Sequence, residues 1–303
     1  MIWIMDTHRR AAIIGVTGFI GSGLPSLLAA HGIETTGISR SGSGDVEGVS
    51  NWQLLDEMDF TGHDIVINLA GAPINRRWTD SNKRDFHQSR VGVTNRAVDQ
   101  IRSMPEADRP KVLLNGSAVG IYGDGGDEVL TEEAEPGDGY LANLCSEWEE
   151  AAMEAEKLGV RVVCLRTGIV LGHGGGALEQ LLPVFKWGVG GRLGSGRQWM
   201  PWIHLADLQA AMVHAVTTDV LSGPVNGCAP VAERNIDFTS KFADAVKRPA
   251  VFPVPGFVLK LALGGFGGAL LESQRAIPSA LEGVGFQFKY SVLEAALSDL
   301  IES

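Results

Sequence analysis

Three observations predict an α/β fold, a Rossmann-type doubly wound parallel sheet with a smaller C-terminal lobe. Strand-like and helix-like segments alternate from residue 11 to about residue 170. Several of the strands are apolar on both sides, as expected when helices cover both faces of a parallel sheet. The glycines of GVTGFIG fall between the first strand and the first helix.

The elements follow in order. AAIIGV (11–16) is a short apolar strand, and IGSGLPSLLAAHG (20–32) is a helix ending at Gly32, with Pro25 tolerated near its first turn. IETTGIS (33–39) and the β-branched DIVINLA (64–70) are the next strands. A helix fills much of 81–103, KVLLNGS (111–117) is a strand, 141–158 a helix and VRVVCLRTG (160–168) a strand. Beyond about residue 170 the pattern loosens: glycines crowd 172–196, and SVLEAALSDLIES forms a final helix. Residues 11–170 are thus expected to form most of a nucleotide-binding domain. Residues 171–303 are expected to form most of a smaller substrate lobe, with some elements returning to the sheet.

The chain has 303 residues, 45% of them hydrophobic, enough for a substantial core. A net charge of −11 without a basic run disfavours nucleic acid and anionic membranes as partners. Cys145, Cys164 and Cys228 are too scattered for a metal motif or a disulfide scaffold, which fits a reducing, cytoplasmic setting. MIWIMDTHRR is too short and polar for a secretory signal. The apolar stretch 249–271 is broken by Lys260 and by prolines and glycines, so it reads as buried segments and loops.

In GVTGFIG, Gly15 permits a tight turn, Gly18 lets a pyrophosphate approach the backbone, and Gly21 lets the helix pack closely on the sheet. The ligand charge then faces free N–H groups at the helix start. The second strand ends in ISRS, where a carboxylate would contact an adenosine ribose. Ser39 and Arg40 instead suit a 2′-phosphate, which makes NADP(H) the expected cofactor and NAD(H) the second choice. The alternative is a solvated Arg40, with Asp45 or Asp56 on the ribose. The small residues of NLAGAPI (68–74) leave room for a cofactor at the strand ends, although strand–helix packing would use them too.

The segments VTGFIGSGL, NLAGAPINRRWT, SRVGVTN, GSAVGIYGDGGDEVLTEE, LCSEWEEAA, LRTGIVLGHGGGAL, GSGRQWMPWIHLADL and LESQRAIPSALEGVGFQF run from about residue 12 to 290. Together they resemble the extended short-chain dehydrogenase/reductases, and within them the NAD-dependent epimerase/dehydratase-like proteins. The resemblance implies a Rossmann-type domain, an NADP(H) or NAD(H) cofactor and a small C-terminal substrate lobe. By position, it implies that Gly15, Thr17, Gly18, Phe19, Ile20 and Gly21 hold pyrophosphate and that Arg40 selects the nucleotide. Leu69, Ala70 and Gly71 would line the cofactor, and Gly168, Ile169 and Val170 would pass the nicotinamide. Ser117 and Tyr140 match the superfamily's serine and tyrosine. Leu144 stands where the superfamily has lysine.

In such a site, hydride arrival charges a carbonyl oxygen. Ser117 would donate a hydrogen bond to it and Tyr140 would deliver the proton. Tyrosine, with a pKa of about 10, needs a cation nearby to serve as a base. Leu144 supplies none; Lys83, Arg76 or Arg77 could swing in from another element, the oxidised nicotinamide ring could supply the positive charge, or the phenol could serve only as a donor in the reduction direction. The structural alternatives are a packed aromatic at 140 and a capping serine at 117. Arg77 and Arg90 are candidates for an anionic substrate, and Gln198, Trp199 and His204 for lining a pocket, against a core-packing role for the tryptophans. Met200 replaces an arginine common in sugar-nucleotide enzymes, which argues against a nucleotide-sugar substrate. No HxH, HExxH or GxSxG motif points to a metal or a hydrolase. The expected function is an NADP(H)-binding oxidoreductase acting on a small carbonyl or hydroxyl compound. The alternatives are a dinucleotide-dependent binding or regulatory module without turnover, and an epimerase working through transient oxidation. The helices at 82–103 and 141–158 are candidates for pairing in a homodimer.

Overall fold

The computed structural model describes residues 9–302, so most of the N-terminal stretch weighed as a signal lies outside the described residues. Seven strands make the main sheet: β1 (Arg9–Ile14), β2 (Ile33–Ser39), β3 (Val49–Leu54), β4 (Ile65–Asn68), β5 (Val112–Ala118), β6 (Arg161–Thr167) and β7 (Gly223–Gly227). Their order is β7-β6-β5-β4-β1-β2-β3, and every pairing is parallel. The order reverses between β1 and β4, which opens a crevice beyond the strands' carboxyl ends. β3 and β7 were not foreseen. VSNWQL mixes three polar with three apolar residues, none of them buried, at the sheet edge, and GPVNG carries two glycines and a proline.

The strand pleat sends alternate side chains to opposite faces. Ala11 and Ile13 join one core with Ile65, Leu114, Leu24, Leu28, Leu208 and Met212. Ala12 and Ile14 join another with Val66, Leu113, Val93, Ala97, Ile101 and Ala152. The first layer is built by α1 (Leu24–Ala29), entered through a 3₁₀ turn at Gly21–Gly23 with Pro25 in its first turn. The second is built by a rod of α2 (Asp80–His87), a π-helical segment (Gln88–Gly92) and α3 (Val93–Ser103). Thr79 caps α2 by accepting from the Asn82 amide. α4 (Tyr140–Met153) lies beside this rod and stops short of the expected 158, where a 3₁₀ turn leads to Gly159 at φ 81°.

The C-terminal lobe contains α5 (Gly176–Lys186), then α7 (Asn235–Ala245), α8 (Gly256–Leu263), α9 (Gly265–Ala269), α10 (Ser279–Gly283) and α11 (Leu293–Glu302). Its core gathers Leu178, Phe185, Phe238, Phe242, Leu293 and Leu297. α6 (Leu205–Thr217), like β7, returns to the sheet, packing on α1. The Asp207 carboxylate of α6 accepts from the Lys289 and Tyr290 amides, each at 2.8 Å, and so pins the chain leading to α11. The stretch 249–271 becomes loops, α8 and α9. Among the described residues no helix is long and apolar enough to cross a membrane.

Gly21 is buried, and a β-carbon there would lie 2.6 Å from the Gly15 carbonyl oxygen and 3.0 Å from the Val16 Cα. Both neighbours are backbone. Gly21→Val is therefore expected to destabilise the fold by about 1–3 kcal/mol, read as a lower thermal midpoint. An unchanged midpoint would show that the turn yields freely.

Two buried imidazoles add a pH dependence. His63 hydrogen-bonds with Thr36 Oγ1 at 2.9 Å, and His204 Nδ1 accepts from the Ala206 amide as the cap of α6. Burial holds the pKa of both below the ordinary 6.5. The unfolded chain then binds more protons than the folded one as pH falls from 6.5 towards the lower folded values, so stability falls with pH over that range. Denaturant melts at about pH 7.5 and about pH 5.5 should show the loss, and His63→Gln should shrink it. Stability that rises on acidification would contradict the assignment.

Candidate active site

A cavity of ≈ 610 Å³ opens at the carboxyl ends of β1, β4, β5 and β6, between the sheet and the lobe. One wall is the turn after β1. Gly15 adopts φ 82°, and a β-carbon on it would lie 2.9 Å from the Leu69 carbonyl oxygen. The Gly18 amide donates to the Gly15 carbonyl at 3.0 Å, and Gln209 of α6 donates to the Ile20 carbonyl at 2.8 Å. Gly15, Gly18, Phe19, Ile20 and Gly21 all line the cavity. The Phe19 ring fits against the glycine-rich loop after β6, where a β-carbon on Gly172, Gly175 or Gly176 would approach it to between 2.6 and 3.1 Å. That loop is a bed for Phe19.

The opposite wall begins at the end of β4, where Leu69, Ala70 and Gly71 face the cavity. A buried polar cluster shapes this end. Asn68 donates to Thr94 Oγ1 (2.8 Å) and Asn115 Oδ1 (2.7 Å) and accepts from the Ala70 amide, while Ser89 Oγ accepts from the Ala72 amide. Gly168 and Ile169 also line the cavity, whereas Val170 points into the core. Thr17, Ser39 and Arg40 lie apart, with Ser41, around a recess of ≈ 410 Å³ at the end of β2. Ser39 Oγ donates to the Ser43 carbonyl at 2.9 Å, and Arg40 is exposed. Asp56 is committed to an ion pair with Arg96.

Ser117 reaches the cavity with its hydrogen already committed. Its Oγ donates to Glu149 Oε1 at 2.6 Å. Glu149 also accepts both arms of Arg166, each at 2.9 Å, with side-chain exposures of 10% and 5% respectively. Arg166 donates in turn to the Tyr122 hydroxyl, which donates to Asn226 Oδ1 at 2.7 Å. Burial opposes the charge on Arg166, but the hydrogen bonds and field of Glu149 outweigh it and hold the guanidinium pKa above its ordinary value.

Tyr140 is not brought to the cavity. Its hydroxyl donates to the Lys83 carbonyl at 3.3 Å, and its ring packs 5.0 Å from Trp78 beside a separate recess with His87 and Glu147. Burial moves its pKa up. The face of α4 that lines the cavity is Leu141, Leu144, Cys145 and Trp148, spaced i, i+3, i+4, i+7. Tyr140, one residue earlier, is turned about 100° away from Leu141. Burial pushes the Cys145 thiol up to about 12, so it stays protonated rather than serving as a thiolate.

Of the expected substrate residues, Arg90 and Trp199 line the cavity, and Arg77, Gln198 and His204 do not. Arg77 is exposed and donates to the Leu261 carbonyl of α8. Gln198 is buried and donates to the Leu193 and Leu270 carbonyls. His204 is spent on capping α6 and lies 4.0 Å from the Tyr290 ring. Trp199 is held between the guanidinium groups of Arg234 (4.5 Å) and Arg275 (4.6 Å), and its Nε1 donates to Asp127. The sequence reading missed Leu141, Cys145, Trp148, Glu149, Glu272 and Gln274. The apolar period beginning at Leu141 carried a signal for the first three; nothing local marked Glu149, Glu272 or Gln274. Burial raises the pKa of Glu272, with Asp124 adding to it. Among the described residues, no group of three His, Cys, Asp or Glu residues is placed to hold a metal.

Residues 11–226 match the model of the NAD dependent epimerase/dehydratase family, and residues 254–300 match a domain of unknown function. An Arabidopsis thaliana protein named epimerase family protein SDR39U1 homolog, chloroplastic, is 36% identical over 306 residues, covering 98% of this chain and 88% of its own length. The crystal structure of human SDR39U1 (isoform 2) with NADPH superposes with a TM-score of 0.88 at 33% identity, covering 97% of this chain and 99% of that one. UDP-glucuronic acid 4-epimerase from Bacillus cereus, in complex with NAD, shares the fold, with a TM-score of 0.76 at 16% identity and 97% coverage of each chain. These structures correct the cofactor expectation: NADPH accompanies one and NAD the other, so NAD(H) does not rank below NADP(H). The physical reason lies in the recess at β2. Ser39 spends its hydroxyl on Ser43, and an exposed Arg40 alone does not exclude a ribose without a phosphate. The glycine turn, the switch-point cavity and the family match converge: the chain belongs to the NAD-dependent epimerase/dehydratase family, of the SDR39U1 type, with the fold of NAD(P)-binding oxidoreductases and epimerases.

Proposed function

We propose that the protein is an NAD(P)(H)-dependent oxidoreductase of epimerase type, acting on a small, sugar-like compound through its carbonyl or hydroxyl group. The observation that carries this reading is the single cavity running from the glycine turn to Ser117 and Trp199. The turn suits a dinucleotide because Gly15 and Gly21, where any β-carbon would collide with backbone, let it fold tightly at the strand ends, and Gly18 presents no side chain to the cavity. The loop from Gly15 to Gly21 would hold the pyrophosphate, and the recess of Thr17, Ser39 and Arg40 would hold the adenosine ribose. Leu69, Ala70, Gly71, Gly168 and Ile169 would flank the remainder. When bound, the dinucleotide supplies or accepts a hydride.

The chain's own residues set what surrounds that transfer. The apolar face of Leu141, Leu144 and Cys145 excludes water. Ser117 gives its hydrogen to a carboxylate that has none to return, so towards the cavity its oxygen accepts. It therefore suits a substrate hydroxyl or a ligand N–H better than a bare carbonyl. Of the Ser117 and Tyr140 hydroxyls, Ser117 is the one we assign to the site, as a positioning and accepting group.

A second reading, a dinucleotide-binding module without turnover, is favoured by that same apolar face of α4, which presents no acid or base. The two readings share their first requirement. Purified protein should bind NADPH or NADH, and Gly18→Val should weaken both by at least about tenfold, since its side chain would fill the pyrophosphate approach. If the wild type bound neither, both readings would fall. Turnover separates them: a screen of small hydroxy-carbonyl compounds should give an absorbance change at the nicotinamide wavelength, while silence across it with dinucleotide bound favours the module.

With a substrate in hand, Ser117→Ala should lower kcat/KM roughly tenfold, the loss of one accepting hydrogen bond of about 1–1.5 kcal/mol, whereas Tyr140→Phe should leave it within about threefold of wild type, a difference under 1 kcal/mol. The opposite ranking would return Tyr140 to the chemistry.

A further inference from the structure

Arg90 is the one cation lining the cavity among the described residues. It sits on the π-helical segment between α2 and α3, and such segments often mark functional positions. Its Nη1 donates to the Ala72 carbonyl at 3.1 Å and to the Phe86 carbonyl at 3.4 Å. Its Cζ lies 5.3 Å from the centre of the Trp148 ring, and a β-carbon on Gly71 would be 3.2 Å from both Cζ and Nη2. The guanidinium plane is thus fixed between the end of β4 and α4.

No acid among the described residues pairs with it. Asp85 is taken by Arg76, Glu147 by His87 and Glu149 by Arg166. Nε and Nη2 have no hydrogen-bond partner among the described residues. Burial draws the pKa of Arg90 down, the largest influence on it, and only distant or weak groups oppose that pull. A largely buried charge without a counter-charge is costly, and a ligand that brings the missing anion recovers that cost.

We infer that Arg90 is the anion-recognition residue of the cavity, taking a phosphate or carboxylate group of a ligand through Nε and Nη2. Two sources offer that chemistry: the pyrophosphate of the dinucleotide, and an acidic group on the small-molecule substrate. The inference deepens the proposed function and rests on the same cavity, but it is tested separately.

The test uses the full chain, with inorganic phosphate, pyrophosphate, NADPH and NADH titrated calorimetrically into wild type, Arg90→Lys and Arg90→Met. Methionine keeps the apolar stem against Trp148 and removes the charge. It should weaken anion binding by about tenfold to 100-fold, with lysine recovering part of the loss because it keeps charge but not the planar fork. If NADPH displaces the phosphate and Arg90→Met weakens both dinucleotides alike, the anion is the cofactor's. If phosphate binds the NADPH-saturated protein in an Arg90-dependent way, it is the substrate's. Arg90-dependent phosphate binding by a wild type that takes no dinucleotide would sink the proposed function and leave this inference standing. Should Arg90→Met fail to fold, the Arg90 Nε–H resonance of the wild type, assigned by its loss in Arg90→Lys, must shift on adding phosphate. Unchanged affinities in Arg90→Met, or an unmoved resonance, overturns the inference.

Discussion

The carboxylate of Glu149 is the point on which the site depends. It lies inside the fold, where a lone charge is not tolerated, and it satisfies itself with both arms of Arg166 and the hydroxyl of Ser117. That one group therefore fixes α4 to β5 and β6 at once. Through Tyr122 and Asn226 the same chain of bonds reaches β7, and Asn226 Nδ2 donates on to the Leu130 and Ile277 carbonyls beside the lobe. Breaking a buried pair by deleting one partner typically costs about 3–5 kcal/mol, because the survivor is left desolvated and alone.

The second constraint is spatial. Gly15 and Gly21 let the turn after β1 lie against the end of β4 and against itself at distances no side chain permits. Phe19 then projects to the loop after β6, and glycines at 172, 175 and 176 make room for it. The nucleotide turn and the start of the lobe are thus packed as one surface. α6 adds to this by binding the Ile20 carbonyl through Gln209 and the lobe's terminal segment through Asp207. The cavity is held from both sides by elements whose short contacts each have backbone as at least one partner.

The register of α4 shows how little displacement changes chemistry. A helix turns about 100° per residue, so one position decides whether a side chain meets the cavity or the recess behind it. Tyr140 stands one residue before Leu141. It packs on Trp78 under the Lys83 ammonium, 4.8 Å from its ring, and its hydroxyl donates to the Lys83 carbonyl. Leu144, where the resemblance places a lysine, lines both the cavity and the recess beside Tyr140.

By itself the sequence determined what local patterns encode. Uninterrupted apolar strands between helical periods required a covered parallel sheet, and the spacing of Gly15, Gly18 and Gly21 between a strand and a helix required a turn with bare backbone. Edge strand β3 and the glycine-bearing β7 escaped because their residues carry no apolar period, and their pairing comes from neighbours already in the sheet. Much of the cavity's lining was legible: the glycine turn, Leu69–Gly71, Ser117, Gly168, Ile169, Arg90 and Trp199 all border it, while Tyr140, Arg77, Gln198 and His204 do not. His204 read as a pocket residue, but its ring nitrogen caps α6, and Arg40 read as a phosphate selector, although similar structures carry NADPH in one case and NAD in another. Ser117 meets Glu149 across 32 residues and Glu149 meets Arg166 across 17. Whether Ser117 donates or accepts, which face of α4 lines the cavity, and that Arg90 lacks a counter-charge were decided only in the tertiary structure. The physical reason is that charge pairing and side-chain direction depend on what folding brings near, and no spacing along one chain segment records it.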